Sequence, residues 1–202
     1  MRIQSLQQAQ EFLAEAEKLN PGLWVAHSRF VAEAAKAIAA CDPDLDPEPS
    51  YIVGLLHDIG RREGRTSMRN IIDGYRFLES HGYEDAARIC LTHSFPLQNT
   101  NAVFGEWDCT EVERHFVDRY VEGTKYTDYD RLLQLCDGLA LPTGLVLLEK
   151  RMVDVALRYG TNEYTVEKWR ATLGVRDSFE GRLGCSIYRV LPGVIQGTFG
   201  DI

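Results

Sequence analysis

The chain has 202 residues, 45% of them hydrophobic and 26% charged, with a formal net charge of −8. That length supports one sizeable core and requires no second domain. The acidic balance argues against a partner such as long nucleic acid, which needs a clustered basic face. No apolar run approaches the roughly 18 residues of a membrane span.

The N-terminal stretch MRIQSLQQAQEFLAEAEKLN is polar and helical in pattern, unlike a signal peptide. The five cysteines (Cys41, Cys90, Cys109, Cys136 and Cys185) are scattered and form no CxxC pair. They suggest neither a disulfide framework nor a thiolate zinc site, and a reducing cytoplasm is the expected location.

The first helix is expected to start at Ser5, where Ser5-x-x-Gln8 fits a capping box, and to stop at Asn20-Pro21-Gly22. A second, from about Leu23 to Ala40, places Trp24, His27, Val31, Ala34, Ala35 and Ile38 on one face, so His27 lies on the buried stripe. Asp42 to Ser50 carries Pro43, Pro47 and Pro49 and reads as a loop, with Ser50 capping the next helix.

That next helix ends in Gly54-Leu55-Leu56-His57-Asp58-Ile59-Gly60. Ile52, Leu55, Leu56 and Ile59 recur at helical spacing, and Gly60 sits where a helix end favours a left-handed residue. Burying an imidazole and a carboxylate side by side is costly unless they are hydrogen-bonded, ion-paired or bound to a metal. A polar connection follows, with Arg61, Arg62, Arg65 and Arg69 against Glu63 alone.

Further helices are expected over about 68–80 and 83–94, the latter putting Ala86, Ile89, Cys90 and His93 on one face. Residues 95–108 read as a loop, and Thr110-x-x-Glu113 caps a helix ending near Gly123. A helix over about 128–140 places Asp137 beside its apolar face. Beyond it, 142–159, 164–173 and 179–191 read as amphipathic helices, with Gly160, Gly174 and Gly184 marking or interrupting their ends. No strand of convincing length is visible. The expectation is an all-α single domain with a core over about 23–140 and a C-terminal helical extension over about 142–202.

His27, His57, Asp58 and Asp137 each fall on or beside a buried face. Two imidazoles and two carboxylates form a complete nitrogen and oxygen set for a divalent ion such as Mn, Fe, Co, Zn or Mg. Taken singly, a hydrogen-bonded core histidine or an Asp–Arg pair explains each residue; packing does not readily explain all four.

The order His27…His57-Asp58…Asp137, with HDIG in full, resembles the HD-domain superfamily of metal-dependent phosphohydrolases over roughly 24–140. The resemblance implies a helical domain in which these four residues hold the metal, and hydrolysis of phosphate esters, often in nucleotides. Relatives of the HD-GYP type hold two ions through extra histidines. Here Asn70, four residues before Gly74, stands at the first of those positions and His93 at the second, and no GYP follows His93. One ion is therefore expected, with His93 the candidate ligand for a second.

A divalent ion acidifies a bound water and neutralises charge on phosphoryl oxygens. Asp58 is the expected catalytic residue. It would bridge two ions, by the resemblance, or orient or deprotonate the water beside one. Arg61 and Arg62 are placed to offer bidentate contacts to the substrate phosphate; a solvated loop or pairing with Glu63 is the plain alternative. The expected substrate is a small phosphorylated molecule, with a nucleotide as the first candidate.

Two alternatives stand beside this reading: a di-iron oxygenase on the same scaffold, as in relatives resembling myo-inositol oxygenase, and a non-catalytic ligand-sensing module. Asn70 weakens the first and the intact ligand set weakens the second. The aromatics of the C-terminal third (Tyr159, Tyr164, Trp169, Phe179 and Tyr188) would cover the pocket, form a homodimer face or complete the core, the last being the usual role at helical spacing. His81 and His115 are expected at the surface or at helix ends.

Overall fold

A computed structural model of the protein describes residues 5–200. It is all-α, 66% helical, with ten α-helices and one two-stranded hairpin among the described residues. None of these helices is long and apolar enough to cross a membrane.

Helix α1 (Leu6–Leu19) starts at Ser5, whose hydroxyl accepts from the Gln8 backbone N–H, and buries Ala9, Phe12, Leu13 and Ala16. Helix α2 (Leu23–Ala39) buries the stripe that contains His27. Helix α3 (Pro47–Leu56) begins earlier than the prolines suggest, with Asp46 as N-cap. Pro47 and Pro49 occupy the first turn, where backbone N–H groups have no intrahelical acceptor and proline costs little. Ser50 is therefore no cap. Its hydroxyl donates back to the Asp46 carbonyl within that turn.

The HDIG segment also differs from a simple helix end. Helix α3 stops at Leu56, His57 caps it, and Ile59–Glu63 forms a 3-10 helix introduced by Asp58. Gly60 lies inside that 3-10 helix, and its φ is not positive. Its role is close approach: a Cβ there would lie 1.9 Å from the Asn70 carbonyl oxygen and 2.3 Å from the Gly74 nitrogen. Gly54 does the same one level down, where a Cβ would lie 2.5 Å from Ala32 Cα. The two glycines let α3 press on α2, and let the 3-10 helix press on α4 (Arg69–Ser80).

Helix α5 (Glu84–Thr92) follows, with His93 as its C-cap. Helices α6 (Glu111–Gly123) and α7 (Asp128–Asp137) both start with full capping boxes, Thr110 with Glu113 and Thr127 with Asp130. Asp137 is the last residue of α7.

The segment after α7 departs from the expected helix. Ala140–Leu141 (β1) and Gly144–Leu145 (β2) pair antiparallel around Pro142-Thr143, and helix α8 (Leu148–Tyr159) begins only afterwards. Pro142 cannot donate to a helix ladder, and Gly144 takes a φ of +146° that side chains rarely adopt. Helix α9 (Thr165–Leu183) runs unbroken through Gly174, which the sequence marks as an interruption. Gly160 and Gly184 do end helices, both at positive φ. Helix α10 (Val194–Phe199) closes the chain.

The main core gathers the inner faces of α1, α2, α3 and α7 with Val175 and Phe179 of α9, Ile187, Leu191 and Val194. A smaller cluster of Ile71, Ile72, Leu91, Phe95, Val117 and Val121 lies under α4, α5 and α6. Cys90 and Cys136 are fully buried in the main core as small hydrophobes. The C-terminal aromatics divide: Phe179 is core, Tyr188 packs against it, and Tyr159 and Trp169 line a cavity.

Candidate metal centre

Three parts of the chain converge on the site. His27 comes from the first turns of α2, His57 and Asp58 from the junction after α3, and Asp137 from the last turn of α7. One ligand atom each from His27, His57 and Asp58 lies within 4.8 Å of the others. Asp137 joins them from the far side. Its Oδ1 is 2.9 Å from His27 Nε2 and 3.9 Å from His57 Nε2. His57 Nε2 is also 3.9 Å from Asp58 Oδ2. Ligands at about 2.1 Å from one ion lie up to about 4.2 Å apart, so these separations suit a shared ion.

His57 carries the strongest signal. Its Nδ1 lies 2.8 Å from the Gly54 carbonyl, which can only accept, so Nδ1 holds the proton and Nε2 presents a lone pair. That Nε2 is buried and has no hydrogen-bond partner. Burial pushes the imidazole down to about 4 against the opposing pull of Asp58, so it is neutral near pH 7. A neutral, oriented imidazole with a free lone pair facing two carboxylates fits a metal ligand.

The carboxylates are equally prepared. Burial alone would raise Asp58, but Arg61 and the imidazoles of His57, His93 and His27 together hold it well below the usual carboxylate range. Burial likewise opposes Asp137, and the hydrogen bond and charge of His27 overcome it. Both oxygens of Asp58 are engaged. Arg61 Nε donates to Oδ2 at 2.6 Å and Asn70 Nδ2 to Oδ1 at 2.5 Å.

His93 lies beside this set, with Nε2 3.9 Å from Asp58 Oδ1 and its ring 4.9 Å from that of His57. Its Nδ1 faces the Ile89 carbonyl at 3.0 Å, so Nε2 again is the free nitrogen. Gln134 fixes the local frame by donating to the Thr92 carbonyl at 3.0 Å, one residue before His93 and one turn before Asp137.

The two arginines part company. Arg61 lines the cavity in front of the centre, and its carbonyl accepts from Asn20 Nδ2 at 2.6 Å, tying the turn to the end of α1. Arg62 points the other way. Its guanidinium stacks on the Phe77 ring at 4.1 Å and bonds Glu15 at 3.0 Å, away from the cavity. Consecutive residues of a 3-10 helix point about 120° apart, so the two cannot both face the site. His81 and His115 are exposed, His81 at the end of α4.

The cavity has a volume of about 850 Å³. Tyr159 of α8 and Trp169 of α9 line it, one of the roles open to the C-terminal aromatics. So do Arg151, Asp154 and Arg158 of α8, Lys168 of α9 and Phe104 from the loop before α6, which sequence reasoning missed. No motif marks these residues. Helix α9 shows hardly any segregation of apolar side chains, so its inward face is invisible in the pattern.

A helical bundle in which His and Asp side chains meet at an open cavity defines a candidate divalent-metal site. The HD domain family matches residues 24–141, more than half of the chain and all four candidate ligands. The chain belongs to the HD domain family. Comparison with curated proteins and with solved structures returns no match.

Proposed function

We propose that this chain is a metal-dependent phosphohydrolase acting on a small phosphorylated molecule, with nucleotides as the first substrate class. The observation that carries the reading is the orphaned His57 Nε2, buried and aimed at Asp58 and Asp137 with His27 alongside. His27, His57, Asp58 and Asp137 would hold the ion, and its charge would offset the cost of burying the Asp58 carboxylate beside the half-buried Asp137. A divalent ion supplies acidity to bound water and charge to stabilise phosphoryl oxygens.

The chain's own residues do the rest. Asp58, whose two oxygens are held by Arg61 and Asn70, would coordinate the ion and orient the attacking water. Arg61 holds Asp58 through Nε, donates from Nη1 to the Thr66 carbonyl and lines the cavity, leaving Nη2 to meet a phosphate oxygen. The cavity volume falls within the range of about 300–1,000 Å³ usual for small-molecule sites. The acidic chain supports small substrates over long nucleic acid.

Asn70 bears on the oxygenase alternative. It offers Asp58 an N–H where a second ion would need a lone pair, which supports the hydrolase reading. The test is a panel of phosphorylated metabolites assayed for phosphate release with Mn, Co, Mg and Fe. Turnover of at least one small phosphate ester supports the reading. Two irons per chain with oxygen consumption would replace it with the oxygenase.

A further inference from the structure

Lys168 stands on α9, outside the segment that matches the HD family, and lines the cavity of the candidate metal centre. Among the described residues, no carboxylate or carbonyl lies within hydrogen-bond distance of its ammonium; its one close neighbour is the Phe104 ring, 5.2 Å from Nζ to the centroid. The other cations lining the cavity near α8 and the HDIG turn are paired: Arg61 with Asp58, and both Arg151 and Arg158 with Asp154. Arg65, also on the cavity wall, is exposed to water.

A half-buried ammonium without a counter-charge is unfavourable, and a face contact with phenylalanine offsets only part of that cost. Burial lowers Lys168 to about 8, and the one opposing influence is the attraction of Asp137. That attraction is borrowed. Asp137 already bonds His27 and belongs to the set that would hold a divalent ion. With a divalent ion there, the charges of Asp58 and Asp137 are matched, and Arg61 leaves the centre with one positive charge in the cavity that Lys168 also lines. Two cationic groups lining one cavity, one of them without a carboxylate partner, define a place for an anion.

We propose that Lys168 binds the substrate's phosphate within the cavity that the metal ligands line, so that the C-terminal extension completes the phosphate site of the HD core. The proposal rests on the phosphohydrolase reading and adds a substrate-binding residue that no HD motif contains. The Phe104 ring holds the ammonium at the cavity wall, and the phosphate supplies the counter-charge it lacks.

The test is calorimetric titration of Mn2+ and then of inorganic phosphate into the full chain, for wild type, Lys168→Met and Lys168→Arg. The expected result is that Lys168→Met binds Mn2+ as well as wild type or more tightly, since a repelling charge is gone, while phosphate affinity falls about tenfold or more. Lys168→Arg should recover phosphate affinity to within about threefold. Lys168→Gln gives the same reading should the Met variant fold poorly. Phosphate affinity within twofold of wild type in the Met or Gln variant would overturn the Lys168 assignment and leave the phosphohydrolase reading intact. A wild-type chain that binds Mn2+ but no phosphate, or no metal at all, would overturn both.

Discussion

His27 Nε2 and Asp137 Oδ1 lie 2.9 Å apart although 110 residues separate them in the chain. The contact joins the first turns of α2 to the last turn of α7, the two outermost members of the candidate ligand set. The same contact holds the Asp137 carboxyl well below the usual carboxylate range: burial opposes the charge, and the hydrogen bond from His27 with the nearby imidazoles outweighs it. Replacing Asp137 with Asn should keep the contact but remove a ligand charge. The expected outcome is metal affinity lowered at least tenfold with melting behaviour close to wild type, read by metal analysis after dialysis and by thermal denaturation.

Gly60 and Gly174 should respond to alanine in opposite directions. A Cβ at Gly60 meets the Asn70 carbonyl at 1.9 Å, so backbone must move, at a cost of about 3 kcal/mol and with Asn70 displaced from Asp58. Gly174 is inside α9 with nothing within 4 Å, so Gly174→Ala should stabilise by about 0.5–1 kcal/mol. Urea denaturation of the two variants measures both.

Arg61 and Arg62 separate function from packing. Arg62→Ala loses the stack on Phe77 and the Glu15 pair and is expected to cost about 1–2 kcal/mol of stability, leaving substrate affinity unchanged. Arg61→Ala frees Asp58 Oδ2 and removes a cavity cation. It should weaken phosphate binding about tenfold, a loss typical of a charge-assisted hydrogen bond. Steady-state kinetics and denaturation together show which arginine affects which property.

Glu113 gives a pH-dependent test away from the centre. The Thr110 backbone N–H, then Arg76 and the Thr110 hydroxyl, hold its carboxyl down at about 2. A depressed carboxyl contributes stability that is fully present above its unfolded value near 4.5 and is lost as pH falls toward 2, because the unfolded chain binds the proton first. Glu113→Gln should therefore narrow its stability gap to wild type as pH is lowered from 5 to 3. A gap that stays constant over that range would show that the charge of Glu113 contributes nothing.

The fold class, the capping boxes of α6 and the stripe of α2 were legible because each is a local pattern. So was the grouping of His27, His57, Asp58 and Asp137, each of which falls on or beside an apolar face and which the structure brings together. The start of α3 was not, because Pro47 and Pro49 read as breakers and only their place in the first turn makes them harmless. Gly60 was misread as a left-handed cap, because its role is contact with α4, which no local pattern reveals. The direction of Arg62 depends on the 3-10 geometry after Asp58, and Lys168 reaches the cavity through the packing of α9. Both are tertiary facts. The arrangement of Pro142 to Gly144 as a hairpin was hidden in a segment too short for alternation to show.

The most direct measurement is metal binding by the chain and by its Asp58→Ala variant. Purified without chelator and titrated with Co2+ or Mn2+, the wild type should take up at least one equivalent per chain. Asp58→Ala should bind less than a tenth as much and release no phosphate from any ester, while its circular dichroism remains that of a helical protein. An Asp58→Ala variant that binds metal and turns over substrate like the wild type would contradict the account.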